Sequence, residues 1–451
     1  MMIREKLVNK SLRFKDKLLY AQGSMGLNIL NMTVVTWIFF FYAPPKGSGE
    51  DVLIPVALVG LLFFVGRIGD AISDPLVGFW SDNVRTRRGR RIPFILYGTP
   101  ALIIVFFLLW CPPSQKVSTV NALYLFLMIN LYFLMFTVVG VPMDAALPDI
   151  ATTSQERIST SMWKMIFGTI GTVVAGVVAG FLIERLGYKS MAVLLGMVTF
   201  ISFYLTILAI TEKKRSEEDL RTQLNIIAAL KATFSNRQFL FFAVAMVSFQ
   251  MGLQMLMIAA PYLVKVVMGM TKADVGIFLG TLLVPLIISS PIWLRVGNRW
   301  GKRKGILLAL LLMVFIFPFY FYIGYLPKIP KMVQGLVFFV AAAIPIAGLY
   351  VFYNALVADI VDYDELKTHK RREAMYWGIT GFLIKASYGL ASLLIGILFN
   401  VFGNSVEKPL GIRLVGPVVG LINIIGFLTF RKYKLPDRVQ EKTLAEIEGA
   451  G

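Results

Sequence analysis

Roughly twelve apolar segments, each about 20 residues or longer, follow one another along this chain with little polar sequence between them. Inside a hydrocarbon layer such a segment must satisfy every backbone N–H and C=O within itself, and the lengths here suit helices. Composition agrees: 57% of the 451 residues are hydrophobic and 16% are charged, against about 25% charged in soluble domains. The expected fold class is all-α and integral to a membrane. Spans are expected at roughly 18–43, 52–80, 93–112, 119–147, 158–183, 189–211, 238–265, 273–297, 305–326, 331–357, 374–402 and 411–430. A polar stretch, Thr211 to Arg237, with EKKRSEEDLRTQ inside it, divides them six and six. This predicts an N-terminal bundle over about 1–211, a cytoplasmic linker over 212–237, a C-terminal bundle over 238–430 and a tail over 431–451.

The net charge of +19 finds its explanation in topology. Roughly 33 Lys and Arg fall in loops on one side of the spans and about 10 on the other, which predicts that both termini are cytoplasmic. No nucleic-acid partner is needed to account for the excess. Met1 to Lys17 is basic without an apolar core, so the first span, rather than a cleaved leader, is expected to direct insertion. Cys111 is the only cysteine and His369 the only histidine, which excludes an intrachain disulfide and a thiolate metal cluster. With neither a nucleotide-binding glycine loop nor a helical zinc motif, no enzyme and no cofactor are expected.

Charge inside the spans is rarer and more informative. In GRIGDAISDPLVGFWSDNVRTRRGRRIP, Gly66 to Pro93, helical spacing puts Arg67, Asp70 and Asp74 on nearly one face. An ionised group at bilayer depth costs at least about 2.5 kcal/mol on insertion scales, so this stripe must face protein, water or its own members. Lys385 is a further charge within a span, and Arg67 plus Lys385 balance Asp70 plus Asp74. The halves also echo one another: Asp74-Pro75 leading to Gly89-Arg90-Arg91 matches Ser290-Pro291 leading to Gly301-Lys302-Arg303-Lys304, and Ala146 to Ile150 matches Ala355 to Ile360. Both pairs fall on one side, as in transporters built from parallel repeats. The second copy lacks the intramembrane acids, which places cation chemistry in the first half.

The acids four apart before a proline, the Gly-Arg-Arg loop, and the Asp-x-Val-Asp-Tyr within VADIVDYDELKTHKRREAMYWG (Val357 to Gly378) together resemble a known family. It is the glycoside-pentoside-hexuronide:cation symporters, the melibiose permease branch of the major facilitator superfamily, and the likeness runs through the whole chain. The resemblance implies a major facilitator fold of twelve helices in two pseudo-symmetric six-helix bundles, and symport of a sugar or glycoside with Na⁺, Li⁺ or H⁺ by alternating access. Carried over by position, it implies that Asp70 and Asp74 bind the cation, Na⁺ included, with Thr137 and Ser73 beside them. Lys385, with Arg67, becomes the counter-charge that a bound cation would release. Asp82, Arg90 and Arg91 look like the facilitator loop that latches helix ends. The family's two sugar-binding acids are matched here by Asn28 and Gly140, an aromatic by Asp144 and an arginine by Lys164.

Amides within spans (Asn28, Asn31, Gln250, Gln254) and rings (Trp37, Tyr353, Trp377) have the chemistry to read hydroxyls and cover a sugar face. With Asp144 and Lys164 they are the candidate substrate contacts. Asp359, Asp362 and Arg371 are expected to join Asp82, Arg90 and Arg91 in a cytoplasmic gate. The expected partners are a small-molecule sugar or glycoside, a monovalent cation and the lipid bilayer, with the protein a monomer in the cell membrane. Two rivals stand beside this reading: transport of lysolipid-like amphiphiles, which loss of the sugar-binding acids allows, and a membrane sensor that does not transport.

Overall fold

The computed structural model describes residues 12–84, 86–210, 233–369 and 372–436. The polar connection expected at 212–237 therefore lies largely outside the described residues. The first half comprises α1 (Phe14–Tyr42), α2 (Val56–Asn83), α3 (Ile92–Leu108), α4 (Thr119–Ala145), α5 (Ser154–Val173) and α6 (Ala179–Ala209). The second comprises α7 (Arg237–Tyr262), α8 (Lys272–Trp300), α9 (Lys302–Ile316), α10 (Lys331–Thr368), α11 (Glu373–Phe402) and α12 (Leu410–Phe430). Among the described residues ten helices are long and apolar enough to cross a membrane. The longest, Gln155–Ala209, has 55 residues and is broken at Gly187 by φ 81° and ψ 171°, a conformation that glycine adopts without steric cost. Chain up to that point continues α5 through a π-turn at Val174–Val178, and chain beyond it turns back. Ile92–Leu108 is apolar but shorter, at 17 residues.

The two halves repeat one packing scheme. In the first, α1 lies against α5 and α6, α4 against α2 and α3, and α3 against α6. In the second, α7 lies against α11 and α12, α10 against α8 and α9, and α9 against α12. Each contact in one set has its counterpart six helices on. The halves meet chiefly where α2 packs on α11, α1 on α7, and the α5–α6 segment on α8. Near Gly60 this approach is backbone on backbone: a methyl group there would lie 2.7 Å from the Ser392 carbonyl oxygen and 3.1 Å from Gly396 Cα.

Two faces can be told apart, one carrying Leu12, residues 86–91 and Lys434, the other carrying the 43–55 and 268–272 connections. Toward the second face the seam is sealed by fully buried Trp37, Phe40 and Tyr262. Tyr262 Oη donates to the Ala43 carbonyl at 2.8 Å, and its ring meets Phe40 at 5.1 Å and Phe399 at 4.8 Å. Toward the first face Asp144, Trp377 and Gly378 are exposed, and nothing lies within 4 Å of where a side chain on Gly378 or Gly381 would begin.

Candidate functional site

Four helices, drawn from both halves, build the charged cluster. Within α2 the four-residue spacing stacks Asp74 one turn beyond Asp70, and Pro75 cannot donate to the Ala71 carbonyl, loosening the helix beside the acids. Lys385 of α11 reaches across the seam, its Nζ 2.8 Å from Asp70 Oδ1 and 2.6 Å from Asp74 Oδ2. Thr137 of α4 places its hydroxyl 3.0 Å from Asp70 Oδ1 and 3.1 Å from Asp74 Oδ1. Its single hydrogen serves one carboxylate at a time. Ser73 Oγ lies 3.0 Å from the Asp70 carbonyl and 3.3 Å from Thr137 Oγ1. Asp70, Asp74, Thr137, Ser73 and Lys385, singled out by spacing and resemblance, thus converge on one point.

Arg67 completes the cluster from the side away from Lys385. Its Nη1 is 3.2 Å from Asp70 Oδ2, and its Nη2 donates to Asn31 Oδ1 at 2.9 Å. Phe63, Phe133 and Tyr388 place their ring centroids 5.4, 4.3 and 5.4 Å from the guanidinium carbon. Stacking on rings while hydrogen-bonding in its own plane is a geometry that suits guanidinium and not ammonium. The two acids differ in access: the Asp70 side chain is 1% exposed and that of Asp74 33%. Asp74 is the wet end of the pair.

The substrate candidates separate into groups. Asn31 holds Arg67 and so belongs to the charged cluster. Asn28 faces α5, where Gly168 leaves room for its amide and Thr172 Oγ1 donates to its Oδ1 at 3.4 Å. Trp37 is sealed in the seam, its indole N–H without a hydrogen-bond partner. Gln250 Oε1 and Gln254 Nε2, one turn apart on α7, are likewise buried without partners. Lys164 Nζ pairs with Asp144 Oδ1 at 2.6 Å and lies 5.5 Å from the Tyr20 ring centroid. Tyr353 and Trp377 meet edge to face at 5.9 Å.

Four of the expected gate residues, Asp82, Arg90, Arg91 and Asp359, clamp helix ends inside their own halves. Arg91 Nη2 is 2.7 Å from Asp82, Arg91 Nη1 is 2.8 Å from Asp149, and Arg90 Nη2 is 2.8 Å from the same Asp149 oxygen. Arg91 also donates to the Ala145 carbonyl at the end of α4, a favourable place for a cation. Lys302 pairs with Asp359, and Arg372 holds Asp364 at 2.6 and 2.8 Å. Asp362 lies on α10 with Asp359; Arg371 falls outside the described residues. Asp149 was readable as part of the Ala146 to Ile150 segment that Ala355 to Ile360 echoes. Lys272 and Glu50, joined across the seam on the second face, were not singled out: each reads as an ordinary loop-end charge, and the one signal was a cation in the first turn of a helix, where the dipole disfavours it.

The isoprimeverose transporter of Lactiplantibacillus pentosus is 22% identical over 461 residues, covering 96% of this chain and 91% of that one. The putative glycoside/cation symporter YagG of Escherichia coli (strain K12) is 24% identical over 457 residues, covering 94% and 93%. The nucleoside transporter NupG superposes with a TM-score of 0.65 at 14% identity, over 94% of this chain and all of that one, a likeness that speaks to the major facilitator fold. A family model described as MFS/sugar transport protein matches residues 19–414, and the chain belongs to that family of membrane transporters.

Proposed function

We propose that this chain is a secondary active symporter that moves a sugar or glycoside with Na⁺, Li⁺ or H⁺ across the cell membrane by alternating access. One observation carries the reading: an ammonium from the second half occupies the space between two carboxylates of the first. Hard monovalent cations take oxygen ligands, and Asp70, Asp74 and the Thr137 and Ser73 hydroxyls supply them; a proton needs only a carboxylate. A cation arriving by way of Asp74 competes with Lys385, and its binding releases α11 from α2. The cation thereby biases the packing of the two halves, and by linkage any gain in substrate affinity returns as tighter cation binding.

Twelve crossings follow when the helical run broken at Gly187 counts as two and Ile92–Leu108 is included. The bundles 1–211 and 238–430 are then the units that rock, with 212–237 joining them and 431–451 as tail. Both termini sit in the cytoplasm, so the face sealed by Trp37, Phe40 and Tyr262 is the outer one and the arrangement described is inward-open. Substrate contacts come from the unpartnered amides of Gln250 and Gln254, the Lys164–Asp144 pair and the Tyr353–Trp377 rings, in a monomer that needs no nucleic acid and no cofactor. Replacement Asp74→Asn in proteoliposomes tests the coupling. Accumulation driven by an imposed cation gradient is expected to vanish while the protein still inserts; undiminished accumulation overturns the assignment. A glycoside panel run against lysolipids by thermal shift, with and without Na⁺, decides the substrate class: cation-dependent stabilisation by lysolipids alone overturns the sugar reading.

A further inference from the structure

The second face is closed by more than apolar packing. At its centre α8 begins with Lys272, a cation in the first turn of a helix, where the dipole favours anions. Carboxylates from the other half answer it. Lys272 Nζ pairs with Glu50 from the α1–α2 connection, and the Lys272 backbone N–H donates to Glu184 Oε2 at 3.0 Å. The ammonium lies 4.8 Å from the Tyr188 ring centroid and 5.8 Å from that of Phe40. Tyr188 in turn stacks on Trp110 at 5.6 Å and 12°. Below this point the backbones nearly touch: a methyl on Gly180 would meet the Lys272 carbonyl at 2.4 Å, and one on Gly276 would meet Val177 Cα at 2.6 Å. A cleft of about 390 Å³, lined by Phe41, Glu50, Asp51, Gln115, Tyr188 and Lys272, opens above the pair.

We infer that Lys272, through Glu50, is the charged latch of this face, and that its release sets how readily the halves part there. The inference rests on the alternating-access reading. Its logic is local: Glu184 caps the α8 N-terminus of the opposite half, Tyr188 gives the ammonium an aromatic bed, and Glu50 supplies the opposing charge. All three bonds break when the halves separate on this side, and none involves the Asp70–Lys385 cluster. The cleft brings solvent ions to the pair, so the latch responds to salt on this face alone.

Two thiol reporters in a Cys111→Ala background test it on purified full-length protein in nanodiscs. Leu279→Cys sits in the closed seam, 7% exposed, beside Gly176. Gly378→Cys sits on the open side. Lys272→Ala is expected to speed maleimide labelling at Leu279→Cys about fivefold and to slow it at Gly378→Cys by a similar factor, the reach of one half-buried ion pair acting on a two-state equilibrium. Lys272→Glu combined with Glu50→Lys is expected to return both rates to the parent values, and high salt is expected to reproduce the shift in the parent and in the charge swap but not in Lys272→Ala. Unchanged rates in both Lys272→Ala and Glu50→Ala overturn the latch. So does a rise at both reporters, which marks loosening of the fold, or a charge swap that fails to restore. No transported substrate enters the measurement, so its failure is distinct from failure of the symport assignment.

Discussion

Arg67 is held by two oxygen partners and three rings, with its Nε buried and unpartnered. Removing Arg67 leaves Lys385 as the one cation beside both acids and strips Asp70 of a charged hydrogen bond, a loss of about 1.5–3 kcal/mol. Arg67→Met is therefore expected to lower the thermal unfolding midpoint clearly, and Arg67→Lys to lower it less, because ammonium keeps the charge but cannot serve Asp70 and Asn31 from one plane. A midpoint unmoved by Arg67→Met contradicts the network. Asp70, Asp74 and Lys385 were legible in the sequence because charge stands out in apolar helices and four-residue spacing fixes a face. Asn31 was legible only as an amide in need of a partner; that the partner is Arg67 depends on how α1 lies against α2, which no local pattern encodes. Asn28 and Trp37 show the same limit, their residue types suiting sugar contact while the packing places one against α5 and the other in the sealed seam.

At the scale of elements, the α2–α11 seam delivers Lys385 to the acids, and its closeness is set by Gly60 and Gly396. Backbone atoms meet there, so no rotamer change can relieve an added side chain. Gly60→Val is expected to cost about 1–3 kcal/mol by overpacking and, by pushing α11 outward, to weaken cation-dependent stabilisation, read as a smaller thermal shift with Na⁺. A full shift retained in Gly60→Val shows that Lys385 does not depend on that approach. Span positions were largely legible, since hydrophobic length is a strong signal. Their ends were less so. The tenth helix, expected to stop near 357, runs to Thr368, because DIVDYDEL continues helical geometry beyond the apolar stretch; the ninth stops being α-helical at Ile316 and tightens into a 3-10 turn at Phe317–Tyr322, where Pro318 cannot donate a helical hydrogen bond.

For the whole molecule, twelve apolar segments and a faint repeat were enough to indicate two similar bundles, and the matching contacts of α1–α6 and α7–α12 give that repeat its physical form. Which face is closed was not legible, because one sequence must support both closures and its local patterns are common to them. The arrangement of the charged cluster carries a consequence for energetics across the bilayer. With Lys385 between Asp70 and Asp74, and Arg67 behind them, the unloaded carrier holds no net charge at the point that changes sides. Under the proposed symport, membrane potential, worth about 2.3 kcal/mol per elementary charge per 100 mV, has no purchase on the return step and acts when a cation accompanies a neutral solute. In proteoliposomes, an inside-negative potential is expected to speed loaded entry and leave the empty return at its resting rate. A return step that quickens or slows with voltage would mean that charge crosses with the vacant carrier.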